Sequence, residues 1–76
     1  PSLVHTRVVF VEAIEQRATA IICIQNHPSG DSSPSDEDKR ITRRLQESGE
    51  LLGIPLLDHI IISKEDFTSF ADEGWL

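Results

Sequence analysis

Ala20-Ile21-Ile22-Cys23-Ile24-Gln25-Asn26-His27-Pro28-Ser29-Gly30-Asp31-Ser32-Ser33-Pro34-Ser35-Asp36-Glu37-Asp38 is the stretch on which the fold turns. Its first five residues are apolar without alternation. That pattern predicts a strand, over Ala18 to Gln25, buried on both faces as in an α/β sheet. Asn26 to Pro34 is dense in turn residues and predicts a loop leaving the end of that strand. Ser35 then opens a helix. Asp36, Glu37 and Asp38 fill its first turn, where the helix dipole favours acids, and Ser35 and Asp38 have capping-box spacing.

Working outward, Ile41, Leu45, Ser48 and Leu52 form one inward stripe of that helix, with Lys39, Arg40, Arg43, Arg44 and Glu47 outside it. Gly53 is a C-cap and Pro55 a stop. Leu56 to Ser63 reads as a second strand, and a weak third strand or turn falls around Phe67 to Phe70. Upstream, Thr6 to Gln16 reads as a helix with Thr6 as N-cap. Its imperfect stripe runs over Val8 or Val9, Val11 or Glu12, and Ile14, with Glu12, Glu15 and Arg17 facing solvent. The fold class is therefore α/β, in the order helix–strand–helix–strand with a weak terminal strand. A strand–helix–strand unit implies a parallel pair with a right-handed crossover. A strand apolar on both faces calls for neighbours on both sides, so the sequence is expected to lack part of its own sheet.

The 76 residues allow one small domain, and 7 Lys+Arg against 13 Asp+Glu give a net charge of −6. An acidic balance argues against a generic nucleic-acid or anionic-membrane binder, because phosphate binding needs a basic face. The cations of Lys39-Arg40-Arg43-Arg44 are interleaved with acids and read as a solvated helix face. One cysteine, Cys23, makes no internal disulfide, and the expected setting is intracellular, in the cytoplasm. Cys23 itself reads as a small buried hydrophobe. No signal peptide or membrane-length apolar run is visible. The chain opens at Pro1, which reads as a processed terminus or the edge of a fragment.

The loop after a parallel strand, where a helix begins, is the usual place for α/β chemistry. Here it carries Gln25, Asn26, His27, Ser29, Asp31, Ser35 and Asp38. His27 and Asp38 are metal-ligand types. On spacing alone, His27 reads as an ordinary turn residue, and Ser35 with Asp38 as a cap.

Gln25-Asn26-His27-Pro28-Ser29-Gly30-Asp31, with seven residues (Pro28 to Pro34) between His27 and Ser35 and then Asp38, resembles the RadC family of the JAMM/MPN zinc-metalloprotease-like domains. The family pattern is His-x-His, seven residues, Ser-x-x-Asp, with a Glu far upstream. The similarity extends back to Val9-Phe10. It runs on through Thr42-Arg43-Arg44-Leu45, Gly49 to Pro55, Leu57 to Ile62, Ser69-Phe70 and Gly74, so it covers essentially the whole chain. The resemblance implies an incomplete three-layer JAMM/MPN (cytidine-deaminase-like) fold, residues 1–76 forming a single partial domain without its N-terminal strands.

It also implies a zinc cofactor with His27 and Asp38 as ligands. Ser35 would be the catalytic residue that hydrogen-bonds the oxyanion or the metal-bound water. The upstream Glu would be general base in hydrolysis of a peptide or isopeptide bond of a protein substrate. Two departures stand against activity. Gln25 occupies the position of the first His, a degenerate ligand position, because an amide oxygen is a poor substitute for imidazole on zinc. The general-base Glu has no counterpart, since Glu12 and Glu15 fall on the first helix. The expected function is thus a zinc-dependent hydrolase domain that is inactive in this chain. The alternatives are a metal-free pseudoenzyme or interaction module, and a DNA-repair-associated protein. Asp58-His59 reads as a structural polar pair, and His5 as a cap or turn residue. Self-association through an exposed sheet edge is expected as well.

Overall fold

In the computed structural model, residues 5–28 and 30–76 are described; Pro1 and Ser29 lie outside them. The elements are α1 (Thr6–Glu15), β1 (Ile21–Asn26), α2 (Asp36–Leu52), β2 (Leu56–Ile62) and β3 (Phe67–Ser69). The sheet order is β1-β2-β3, with β1 and β2 parallel and β2 and β3 antiparallel. This small α/β arrangement has the expected element order, and the third strand is present.

The helix α2 is built as its sequence demands. Ser35 is the N-cap: its hydroxyl accepts from the Asp38 N–H at 3.0 Å, and its own N–H donates to Asp38 Oδ2 at 2.8 Å. Both arms of a capping box are therefore made. At the other end Gly53 takes φ +74°, a left-handed conformation that L side chains rarely adopt, and the Ile54 N–H returns to the Gly49 carbonyl at 2.8 Å. Gly49 has to be small, because a Cβ there would press into the Ile54 carbonyl.

The core is formed by Phe10 and Ala13 of α1, Leu45 of α2, and Ile54 and Leu56, with Val9, Ala18, Ile21, Cys23, Ile41 and Leu76 packed around it. Four expectations need correction. In α1, Val8, Val11 and Ile14 are exposed, and Phe10 with Ala13 is the buried pair, because the large Phe10 ring points into the core. Thr6 is the first helical residue; His5 is the N-cap and makes no side-chain cap bond. In α2, Asp38, Thr42, Leu45 and Gly49 are buried, whereas Leu52 is exposed because the chain folds back against Gly49 one turn earlier.

The fourth correction concerns β1. It alternates rather than being buried on both faces: Ile21, Cys23 and Gln25 are partly covered, whereas Ile22 and Ile24 are 54% and 64% exposed. The reason is layering. Both helices pack into one core, and among the described residues nothing covers the other face of the sheet. Two of the three expected layers are present.

The register of β1 on β2 slips by one residue between Ile21, paired with Leu56, and Ile22, paired with Asp58. Leu57 is thereby bulged out, and the bulge resets the alternation. Leu56 and His59 both end up buried, although their odd spacing would place them on opposite faces of a regular strand.

Candidate functional site

The C-terminal end of β1 and the first turn of α2 meet, as expected, and His59 joins them from β2. Gln25 is the last partly covered residue of β1, and His27 follows directly after the strand, its N–H held by the Ile62 carbonyl at 2.8 Å. The capping box fixes Asp38 one turn into α2. These supports bring His27 Nε2 to 3.4 Å from Asp38 Oδ2.

Hydrogen-bonding capacity assigns the roles. His27 Nδ1 faces the Asp31 carbonyl at 3.2 Å. A carbonyl only accepts, so Nδ1 carries a proton; in the singly protonated ring Nε2 then presents its lone pair. The Gln25 amide Nε2 donates to Asp38 Oδ1 at 2.9 Å and faces His27 Nε2 at 3.2 Å. Gln25 Oε1 meets His59 Nε2 at 3.1 Å, so that nitrogen is the donor. The Thr42 hydroxyl lies against His59 Nδ1 and donates to the Asp38 carbonyl at 2.7 Å. Its one proton thus has two acceptors in reach.

His59 is fully buried and stacks on Phe70, with ring centroids 4.8 Å apart and planes 15° from parallel. Burial lowers its affinity for a second proton; Asp38 and Asp58 oppose that effect without reversing it, and the imidazole is neutral near pH 7. Burial raises the Asp38 carboxyl, but the hydrogen bonds from the Ser35 N–H, the Gln25 amide and the Ser35 side chain outweigh it and hold the group ionised below the ordinary carboxylate value. Asp58 closes the far side of β2. It accepts from the His59 N–H at 2.7 Å, the Ser69 hydroxyl at 2.5 Å and the Ala71 N–H at 2.9 Å. Burial raises this carboxyl too, and again the hydrogen bonds prevail and lower it. Among the described residues no buried side-chain nitrogen or oxygen lacks a partner.

Gln25, His27, Ser35 and Asp38, the candidate residues of the sequence, lie in one cluster. Ser35 is engaged as the cap. The reading missed Thr42 and the part played by His59. Their signals are present: Thr42 lies one turn after Asp38 on α2, and His59 is a polar residue inside an otherwise apolar run. Cys23 stands apart, partly buried, its thiol pKa pushed up by burial. The cations of α2 are exposed, and two are engaged: Arg40 pairs with Glu37 at 2.8 Å, and Lys39 sits 5.1 Å over the Trp75 ring.

The donor set does not fit zinc. A catalytic zinc takes three protein ligands. Among the described residues no group of three or more His, Cys, Asp or Glu side chains is placed to hold a metal, and only His27 and Asp38 face each other here. Also among the described residues, no helix is long and apolar enough to cross a membrane.

Comparison with known proteins gives the same pattern a wider setting. A family model described as RadC-like JAB domain matches residues 1–75. A UPF0758 protein of Bacillus licheniformis is 56% identical over 75 residues, covering 99% of this chain and 34% of its own length. UPF0758 proteins of Methanospirillum hungatei and Geotalea uraniireducens are 57% and 56% identical, each covered over 33% of its length. The chain therefore spans about a third of the curated relatives it matches. With nearly every residue inside the matched region, the chain belongs to the RadC-like JAB domain family.

Proposed function

We propose that this chain is part of a domain with the architecture of a zinc-dependent peptide or isopeptide hydrolase, and that its site is catalytically silent and works by binding. The observation that carries the reading is the donor count: His27 and Asp38 sit 3.4 Å apart at the strand end, with Gln25 where a third ligand would be needed. Two protein donors hold zinc weakly, and an amide oxygen adds little. Ser35 accepts the Asp38 N–H as the helix cap, a bond that uses a lone pair of its hydroxyl and not its proton. A DNA-repair role gains no support from the α2 cations, two of which are engaged within the chain. Peptide or protein is the partner class that suits the exposed apolar side chains.

The test is metal analysis of protein purified without chelator, with an assay for peptide and isopeptide cleavage in added zinc. Absence of both zinc and cleavage is expected. One zinc per chain, lost in His27→Ala, would overturn the silent reading. Among the described residues β1 pairs with β2 on one side and with no strand on the other, and that edge carries a companion proposal: self-association of the chain by edge pairing. Sedimentation velocity at rising concentration should show dimer; a strictly monomeric profile would contradict it.

A further inference from the structure

We propose that the Gln25 side-chain amide is a built-in stand-in for the cation, joining the two ligand-type side chains by hydrogen bonds so that the site assembles without metal. This deepens the preceding reading and rests on its assignment of His27 and Asp38 as a ligand pair.

Two donors bound about 2.0–2.2 Å from a tetrahedral zinc lie roughly 3.4 Å from each other. His27 Nε2 and Asp38 Oδ2 have that separation without an ion. Two lone-pair-bearing groups at such a distance need something positive between or beside them. The Gln25 NH2 group supplies it, with its nitrogen 2.9 Å from Asp38 Oδ1 and 3.2 Å from His27 Nε2. An amide NH2 has two protons and donates to both groups at once. Its nitrogen has no free lone pair to offer a metal.

The orientation is held from behind. Gln25 Oε1 accepts from His59 Nε2 at 3.1 Å, and His59 is clamped by Thr42, the Asp58 hydrogen bond to its own N–H, and the Phe70 ring. Turning the amide over would set Oε1 against Asp38 Oδ1 and leave His59 without its acceptor. A cation approaching His27 and Asp38 must therefore displace two hydrogen bonds and reverse a third. Gln25 thus does more than fail to be a histidine: the amide occupies the lone pairs a metal would draw on.

Two measurements on the protein test this. The first is the exchange of the assigned side-chain amide protons of Gln25 with solvent, with the exposed Gln16 as internal reference. Two hydrogen bonds should slow Gln25 by about tenfold or more relative to Gln16, and His27→Ala or Asp38→Asn should remove part of that protection. Exchange as fast as that of Gln16 would overturn the proposal whatever the metal results.

The second is titration with cobalt(II) and zinc. The unaltered protein should give no ligand-field absorption and no zinc-induced rise in melting temperature. Gln25→His should take up one equivalent of either metal. The isosteric Gln25→Glu, which sets a third acceptor against the pair, should melt lower without zinc and regain stability with it. Should Gln25 be protected while neither variant binds metal, His27 and Asp38 are not a ligand pair. The stand-in role then falls, with the hydrogen bonds left intact. Stoichiometric metal in the unaltered protein, through His27, would overturn the proposal directly.

Discussion

The two sides of the sheet are finished to different degrees. On the helix side, the polar cluster around Gln25, His27, Asp38, Thr42 and His59 satisfies itself through its own hydrogen bonds, with the buried His59 ring stacked on the buried Phe70. On the opposite side, Ile22 and Ile24 are exposed, and Val8 of α1 is also uncovered near the β1 edge. Polar groups need specific partners at short range and have them within these 76 residues. Apolar groups need only area, and the area that would cover Ile22 and Ile24 is not supplied by the described residues. The difference teaches that the site and the sheet are not equally self-contained: the hydrogen bonds close, whereas the packing does not.

Removing the keystone of the closed side should produce the largest effect. His59→Ala deletes a fully buried ring stacked on Phe70 and leaves Gln25 Oε1 and the Thr42 hydroxyl without it. The expected loss is about 3–5 kcal/mol in urea unfolding, as for other buried aromatic truncations. A loss under about 1 kcal/mol would mean that the cluster does not stabilise the fold.

Gly49→Ala comes next. On helix propensity alone Ala should stabilise by about 0.5–1 kcal/mol. Against the Ile54 carbonyl it should instead destabilise by about 1–3 kcal/mol. A net gain in the same unfolding measurement would show that the α2–β2 turn can move aside.

Acidification should weaken the closed side in two stages. The folded state disfavours a proton on His59, so as pH falls below the ordinary imidazole value of about 6.5 the unfolded chain binds more protons and stability declines. Asp58 is lowered in the folded state. Its contribution is present above the unfolded carboxylate value of about 3.9 and is lost as pH falls through the lower folded value. Urea midpoints recorded against pH should show both declines. Asp58→Asn should flatten the lower stage, and at neutral pH it should cost about 1.5–3 kcal/mol through loss of a charged acceptor. A lower stage unchanged in Asp58→Asn would assign it to another carboxylate.

The smallest effect belongs to the open side. Ile24→Thr should leave the stability of the single chain within about 0.5 kcal/mol, since the side chain is already in water. A loss above about 1 kcal/mol would show that this face is covered in solution.

Much of this was legible from local sequence. The capping box of Ser35 and Asp38, the Gly53 stop and the helix–strand order each depend on residues within a few positions of one another, and each formed as read. The approach of Asp38 to His27 was only weakly legible from spacing, because eleven positions separate them, and it is the family resemblance that made the two a ligand pair. What escaped the reading was set at longer range. The unbroken run Ala20 to Ile24 shows that a strand forms; it carries no record of how many layers stand on each side.

By itself, then, the sequence determined the element order, the caps of α2, the family and the ligand-type residues, because short-range hydrogen bonding and residue chemistry act wherever the chain goes. Tertiary structure decided the rest. A one-residue slip of β2 against β1 at Leu57 turned His59 inward, and only with His59 at its back does the Gln25 amide present its NH2 to His27 and Asp38. A side chain's hydrogen-bonding role follows from the groups around it, and those groups come from three separate elements.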